Sequence, residues 1–179
     1  MSRVVVLVGS VRNNGNTRML AESFAKGAGK NNEVELISVA DHNVHPCIGC
    51  NRCYASEGNR CFRDDGMTYI YDKLSEADIV AIASPIYFYG LSAQLKAVID
   101  RLHAPVRNTF HIRKLALLLV GAAELPELFD AVIDQYRLIL NFFRLEDLGT
   151  VLVRGVRDPG DIEGNRALDE AYELGLSIE

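Results

Sequence analysis

Five stretches with strand-like apolar patterns punctuate the chain, and between them apolar positions recur at helical spacing. Val4-Val5-Val6-Leu7-Val8, Ala77 to Ala83 and Leu115 to Val120 are apolar on both faces, the pattern of strands buried inside a sheet. Glu33 to Val39 alternates and reads as a half-exposed edge strand, and a fifth strand covers Glu146 to Val153. Helical periodicity predicts a first helix through Met19, Leu20, Phe24 and Ala28, and a short one over Met67 to Ser75. A third helix carries Leu91, Leu95, Val98, Ile99 and Leu102 on one face and is capped by Ser92. A fourth places Pro126 in its first turn and buries Leu128, Phe129, Val132, Ile133, Tyr136, Ile139, Leu140 and Phe143, and a last one runs from about Ile162 to Leu176.

Strands alternating with helices predict an α/β fold, a parallel sheet covered on both faces. The five-strand member of that class has order 2-1-3-4-5, and its ligand sits beyond the carboxyl ends of strands one and three. Residues 1–179 read as one such domain, with a cysteine-rich loop insertion at about 41–65.

The loops at that switch point carry the chemistry. Gly9-Ser10-Val11-Arg12-Asn13-Asn14-Gly15-Asn16-Thr17 joins the first strand to the first helix. Free N–H groups at a helix N-terminus and the helix dipole favour an anion there. Ser10, Asn16 and Thr17 add neutral donors, Arg12 or Arg18 adds charge, and Gly15 after Asn14 suits a turn of positive φ. The loop is neither a P-loop nor a Gly-x-Gly-x-x-Gly fingerprint, and a polar turn without a ligand reads equally well from this stretch alone. After the third strand, Ser84-Pro85-Ile86-Tyr87-Phe88-Tyr89-Gly90 offers flat aromatic faces, with Gly90 admitting close backbone approach. Gly121 after the fourth strand forms the third wall. A flat ring plus one phosphate points to flavin mononucleotide (FMN).

Composition narrows the classes. A net charge of −5 with no Lys/Arg run argues against nucleic-acid binding. The longest apolar stretch is far too short to span a bilayer, and no signal-peptide pattern precedes the first strand, so no membrane contact and a cytoplasmic location are expected. All four cysteines fall between positions 47 and 61, as Cys47-x2-Cys50-x2-Cys53-x7-Cys61. In a reducing compartment that clustering points to metal or redox chemistry. Four thiolates satisfy a 4Fe–4S cluster, and the paired x2 spacings match the start of the bacterial ferredoxin run. A four-thiolate zinc site, disulfides and cysteines without a metal stay open beside it. Gly49 relieves crowding, and Arg52 or Arg60 could offset a cluster's charge. His42, His45, His103 and His111 have no ligand-like or triad-like spacing, and no catalytic acid or base is assigned. Asp64 and Asp65 suit the N-terminus of the next helix.

Gly-Ser-x-Arg-x-x-Gly-Asn-Thr and Ser-Pro-Ile-Tyr-Phe, with Ala77-Asp78 and Leu95-Lys96-Ala97-x-x-Asp100-Arg101, resemble the flavodoxin-like NAD(P)H-dependent FMN reductase family across nearly the whole chain. The cysteine spacing is similar to its iron–sulfur flavoprotein branch, although Asp64-Asp65-Gly66-Met67 stands where that branch often reads Asp-Asp-Met. The resemblance implies a flavodoxin-like three-layer sandwich in which Ser10, Arg12, Asn16 and Thr17 hold the FMN phosphate. It implies that Pro85, Ile86, Tyr87, Phe88 and Gly90 line the ring, and that Cys47, Cys50, Cys53 and Cys61 hold a 4Fe–4S cluster. The expected activity is redox transfer between FMN and the cluster. NAD(P)H or a ferredoxin-like protein would be the donor, and a small molecule such as a quinone the acceptor, in a homodimer or homotetramer. An NAD(P)H-dependent FMN or quinone reductase without a cluster, and a non-enzymatic electron carrier or redox sensor, are the alternatives.

Overall fold

The computed structural model describes residues 1–179. Its strands are β1 (Arg3–Val8), β2 (Glu33–Ser38), β3 (Ile79–Tyr87), β4 (Gly90–Leu91), β5 (Lys114–Val120) and β6 (Glu146–Val153). Its helices are α1 (Asn16–Ala28), α2 (Met67–Glu76), α3 (Ala93–Arg101), α4 (Asp130–Phe143) and α5 (Ala167–Leu176). The long strands pair in parallel in the order β2-β1-β3-β5-β6, the expected five-strand winding. The sixth strand, not expected, is the two-residue β4, which folds back antiparallel on the end of β3.

Side chains of a strand point alternately to opposite faces, so each buried strand feeds two cores. Val5, Leu7, Val80, Ile82, Leu115, Leu117 and Leu119 pack with residues of α2, α3 and α4. Val4, Val6, Val8, Ala81, Ala83, Ala116 and Leu118 face α1 and α5. Three of these are alanines, which lets that helix layer sit low on the sheet. The two helices then meet backbone to backbone. A methyl group on Gly27 of α1 would lie 2.0 Å from the Tyr172 carbonyl oxygen, and one on Gly175 of α5 would lie 2.1 Å from that of Phe24.

Three element ends differ from the periodicity. β3 runs past Ala83, because Ser84 and Pro85 still pair with Leu119 and Val120 of β5. α4 begins at Asp130, not at Pro126: Arg154 takes the carbonyls of Leu125 (3.0 Å) and Pro126 (2.6 Å), leaving a non-helical turn that still buries Leu128 and Phe129. α5 begins at Ala167 because Gly160 and Gly164 sit at positive φ, and Asn165 Oδ1 accepts the Ala167 N–H at 2.9 Å. In β6, a bulge at Leu148 is stabilised by Asp147 Oδ1, which accepts from Gly149 N at 2.9 Å and from the Tyr136 hydroxyl at 2.7 Å. Burial, reinforced by that carboxylate, pushes the Tyr136 pKa far upward.

The α1–α5 contact makes a prediction with a decisive sign. Helix propensity alone would have Gly27→Ala stabilise the chain by about 1 kcal/mol. The missing space should instead make it destabilising by about 1–3 kcal/mol, read as a lowered denaturant midpoint.

Candidate functional site

β1 and β3 are neighbours, with Val8 opposite Ala83, and their following helices leave on opposite faces of the sheet. The Gly9 N–H donates to the Ala83 carbonyl at 2.8 Å. A methyl on Gly9 would lie 2.8 Å from Ser92 Oγ and 2.9 Å from Leu95 Cβ, so a glycine here lets the start of α3 close against the end of β1. Ser92 caps α3 as expected, its Oγ accepting from Leu95 N at 3.4 Å.

At the start of α1, Gly15 is the N-cap in extended conformation (φ −80°), not the positive φ its Asn-Gly sequence suggests. The N–H groups of Asn16 and Thr17 precede the first intrahelical bonds and point outward from the helix end. Ser10 is buried and its Oγ accepts from Arg12 N at 3.1 Å. Arg12 is exposed and donates to the Arg157 carbonyl at 3.0 Å. The Asn16 amide donates one N–H to the Asp158 carbonyl at 2.9 Å, and its oxygen accepts from Gly160 N and Ile162 N. It therefore ties the 157–162 turn beside the anion loop, with its second amide N–H and its backbone N–H left over. A cleft of about 380 Å³ opens there, lined by Asn13, Asn14 and Arg18 against Pro159 and Gly160.

The aromatic segment is a hairpin, not a loose loop. Tyr87 pairs with Gly90, and the two residues between them, Phe88 (φ 49°) and Tyr89 (φ 65°), both lie in the left-handed region. Turns of this kind normally take Asn-Gly or Gly-Gly, and a bulky residue held there carries about 1–3 kcal/mol of strain. The strain holds Phe88 99% exposed, with Tyr87 and Tyr89 half exposed beside it. No sequence signal marks it, since Tyr-Phe-Tyr-Gly is not a known turn pattern. Pro85 and half-buried Ile86 seat the hairpin on the core, and Ser84 Oγ accepts from Ser92 N at 3.1 Å. At Gly90 an added methyl would meet only the Tyr87 oxygen, at 3.7 Å, so that side is open. Gly121 has a packing role as well: a methyl there would lie 2.5 Å from Leu128 Cδ2. A cavity of about 540 Å³ lies elsewhere, among Ile99, Leu102, Phe110, Ile139, Phe142 and Phe143. It has neither a helix N-terminus nor the aromatic hairpin, so the switch point is the better site for a ring and phosphate.

The cysteine segment leaves β2 and returns to α2 with only short helical turns. Its four thiols are free: Cys47 and Cys50 are exposed, Cys61 is half-buried and Cys53 is buried. Burial pushes the Cys53 thiol pKa up, and the proximity of Cys61, Cys47 and Cys50 adds to this. No three His, Cys, Asp or Glu side chains converge closely enough to hold a metal ion. Four thiols on one segment are nonetheless the donor set an iron–sulfur group takes, with Cys61 packed against the core cluster that holds Cys53. His103 Nε2 lies 3.3 Å from Asn51 Oδ1 and its ring packs against Tyr54. Gly66, the residue inserted in Asp-Asp-Gly-Met, is required by contact: a methyl there would sit 1.6 Å from the His42 carbonyl oxygen.

Asp65 does more than favour the start of α2. One oxygen accepts from Met67 N at 3.1 Å, the other from His45 N at 3.1 Å, and both take the Arg101 guanidinium, at 2.7 and 2.5 Å. Burial raises its pKa, but Arg101 and the two backbone donors outweigh it and hold the carboxyl below its usual range.

The fold is that of a doubly wound α/β protein, a class whose ligands sit at the switch point between β1 and β3. The family model described as NADPH-dependent FMN reductase matches residues 2–153. The chain therefore belongs to the NADPH-dependent FMN reductase family, a family of oxidoreductases. It is 42% identical over 112 residues to an iron–sulfur flavoprotein of Methanocaldococcus jannaschii, a match covering 62% of this chain and 56% of that protein. The match thus spans little more than half the length of that relative. An iron–sulfur flavoprotein of Archaeoglobus fulgidus is 32% identical across 98% of this chain and 78% of its own length. Among solved structures, an NAD(P)H:quinone oxidoreductase from Methanothermobacter marburgensis superposes with a TM-score of 0.74, at 16% identity and 99% coverage of both chains. An FMN-dependent NADH-azoreductase of Bacillus anthracis, in complex with FMN, gives 0.67 at 15% identity, covering 97% of each chain. These superpositions establish the flavodoxin-like fold. No helix is long and apolar enough to cross a membrane.

The Asp65 pair supports a prediction. Asp65→Ala leaves Arg101 buried without its counter-charge and should destabilise the protein by about 3–5 kcal/mol in chemical denaturation. Because the folded carboxyl is more acidic than an unfolded one, its contribution is complete above the ordinary Asp pKa of about 3.9. It is lost as pH falls below that toward the folded value, so wild type and variant should converge in strong acid.

Proposed function

We propose that the chain is an FMN-dependent oxidoreductase of iron–sulfur flavoprotein type, passing electrons between FMN and a 4Fe–4S cluster. The observation that carries the flavin half is the strained Tyr87–Gly90 hairpin, which stands Phe88 in solvent on the strand next to the anion loop. A strained, exposed aromatic has no packing function to justify it. A flat ring laid against it would supply one.

In this reading Ser10, Arg12, Asn16 and Thr17 hold the phosphate, the last two chiefly through the N–H groups of the α1 terminus. Pro85, Ile86, Tyr87, Phe88 and Gly90 form the ring slot, with the Gly121 loop as its third wall. Cys47, Cys50, Cys53 and Cys61 would hold the cluster. When bound, FMN accepts a hydride from a donor such as NAD(P)H and passes on single electrons, which a 4Fe–4S cluster carries one at a time. The protein's own part is to cradle, orient and separate. An open ring face at the exposed hairpin leaves room for a nicotinamide or for a quinone-like acceptor, and a ferredoxin-like protein is the alternative donor. Self-association as a homodimer or homotetramer and a cytoplasmic location complete the proposal.

The exposure of Cys47 and Cys50, with no convergent metal set, favours a second reading: an NAD(P)H-dependent FMN or quinone reductase without a cluster. Anaerobic purification with absorbance spectroscopy and iron, sulfide and zinc analysis separates the two. Flavin bands over a broad shoulder, with about four iron and four sulfide per chain, are expected. Flavin bands alone after reconstitution would leave the simple reductase.

Two substitutions extend the test. Cys50→Ala should abolish iron retention and leave FMN bound, because the two sites use different loops. Phe88→Asn combined with Tyr89→Gly should raise the thermal midpoint of the flavin-free protein, corresponding to about 1–3 kcal/mol of relieved strain, while weakening FMN binding in a fluorescence titration.

A further inference from the structure

Arg101, at the last position of α3, is 2% exposed, yet only one nitrogen of its guanidinium is used. Nη1 donates to Asp65 and, at 3.3 Å, to the His45 carbonyl. Nε and Nη2, which carry three N–H bonds between them, have no acceptor, and no other buried side-chain nitrogen or oxygen in the chain is in that state. A guanidinium cannot shed its proton to escape this, and a charged donor left bare in the interior is more costly than a neutral one. One carboxylate balances the charge but leaves the donors unanswered.

The position of these donors indicates what answers them. His45 stands two residues before Cys47 and Asp65 four after Cys61, so Nη1 gathers both ends of the cysteine segment onto a single nitrogen. Cys53 is buried in the core cluster that Tyr71 belongs to, Cys61 packs against it, and the Tyr71 hydroxyl donates to the Arg101 carbonyl at 2.7 Å. A thiolate at Cys61 favours the charged form of Arg101, so that sulfur lies within its field. Two of the three arginines inside the segment are otherwise engaged: Arg60 pairs with Asp72 at 2.6 Å, and Arg52 lies over the Phe62 ring.

We propose that Arg101 is the positioning residue of the cysteine loop, closing it through Nη1 while its free Nε–H and Nη2–H groups donate to sulfur of the group held at the Cys53–Cys61 side. The proposal rests on the cluster reading above. A thiolate-ligated cluster is anionic and becomes more so on reduction, so donors and positive charge at its sulfurs raise its reduction potential. Lysine would keep the charge without the fork that serves the segment ends and the sulfur at once.

The experiment compares anaerobically reconstituted wild type with Arg101→Lys and with the double variant Arg101→Met/Asp65→Asn, which removes both buried charges together and so keeps the fold accessible. FMN absorbance, circular dichroism, iron and sulfide content, and the cluster's midpoint potential by EPR-monitored titration are read for each. The double variant is expected to keep FMN and its fold. Its cluster should become harder to reduce, the reduced-to-oxidised ratio at the wild-type midpoint falling about tenfold, equivalent to 59 mV for a one-electron couple. Arg101→Lys should recover only part of that shift. Full iron content with an unmoved potential in both variants would overturn the role of Arg101 and leave the cluster intact as a reading. Wild type that takes up no iron or sulfide would remove the cluster reading itself, and this inference with it.

Discussion

Val8 of β1 lies opposite Ala83 of β3, and the Gly9 N–H extends their pairing to the Ala83 carbonyl. A chain that pairs these strands in parallel, with α1 on one face and α3 on the other, necessarily opens a crevice where the two crossovers diverge. Everything placed at the carboxyl edge follows from that pairing: the bare N–H groups of α1, the capped start of α3, and the hairpin that rises from the end of β3. Gly9 is the residue on which the closeness depends, because any side chain there would push α3 away from β1.

The cysteine segment depends on a different kind of force. It has little regular structure to bind it to the body of the protein, and its ends are instead drawn together by one buried ion pair, Asp65–Arg101, set between the start of α2 and the end of α3. Burial of such a pair is unfavourable for each charge alone and acceptable only with further hydrogen bonds, which the His45 and Met67 amides supply on the carboxylate side. From Ser92 to this anchor α3 runs nine residues, about 13 Å. The segment leaves the sheet at its carboxyl edge but is fastened well back from it.

The sheet order, its two-sided burial and the places of the loops after β1 and β3 were legible because each rests on short-range periodicity or on one turn. Element ends were less so. The start of α4 is governed by Arg154, more than twenty residues downstream, which takes two carbonyls that a helix would need. Asn16 reads as a phosphate donor, and that its amide also ties down a turn more than 140 residues away has no local signal. Arg101 sits inside a motif typical of the family, and nothing local distinguishes it from a surface arginine at a helix C-terminus. The left-handed pair Phe88-Tyr89 was invisible for the opposite reason: local preference argues against it, and β3–β4 pairing overrides that preference. Long-range contacts that overrule local propensity are what a periodicity reading cannot contain.

The irregularity in β6 has a consequence for how molecules of this chain can meet. Both outer strands of the sheet are poor templates for a neighbour. β6 opens with Glu146 and Asp147 and is kinked by its bulge, and β2 carries Glu33 and Glu35, each engaged with a basic side chain of its own subunit. Charged and distorted margins of this sort discourage one sheet from continuing into another. Any contact between copies is thereby steered toward helix faces and loops, which do not carry the hazard of open-ended polymerisation.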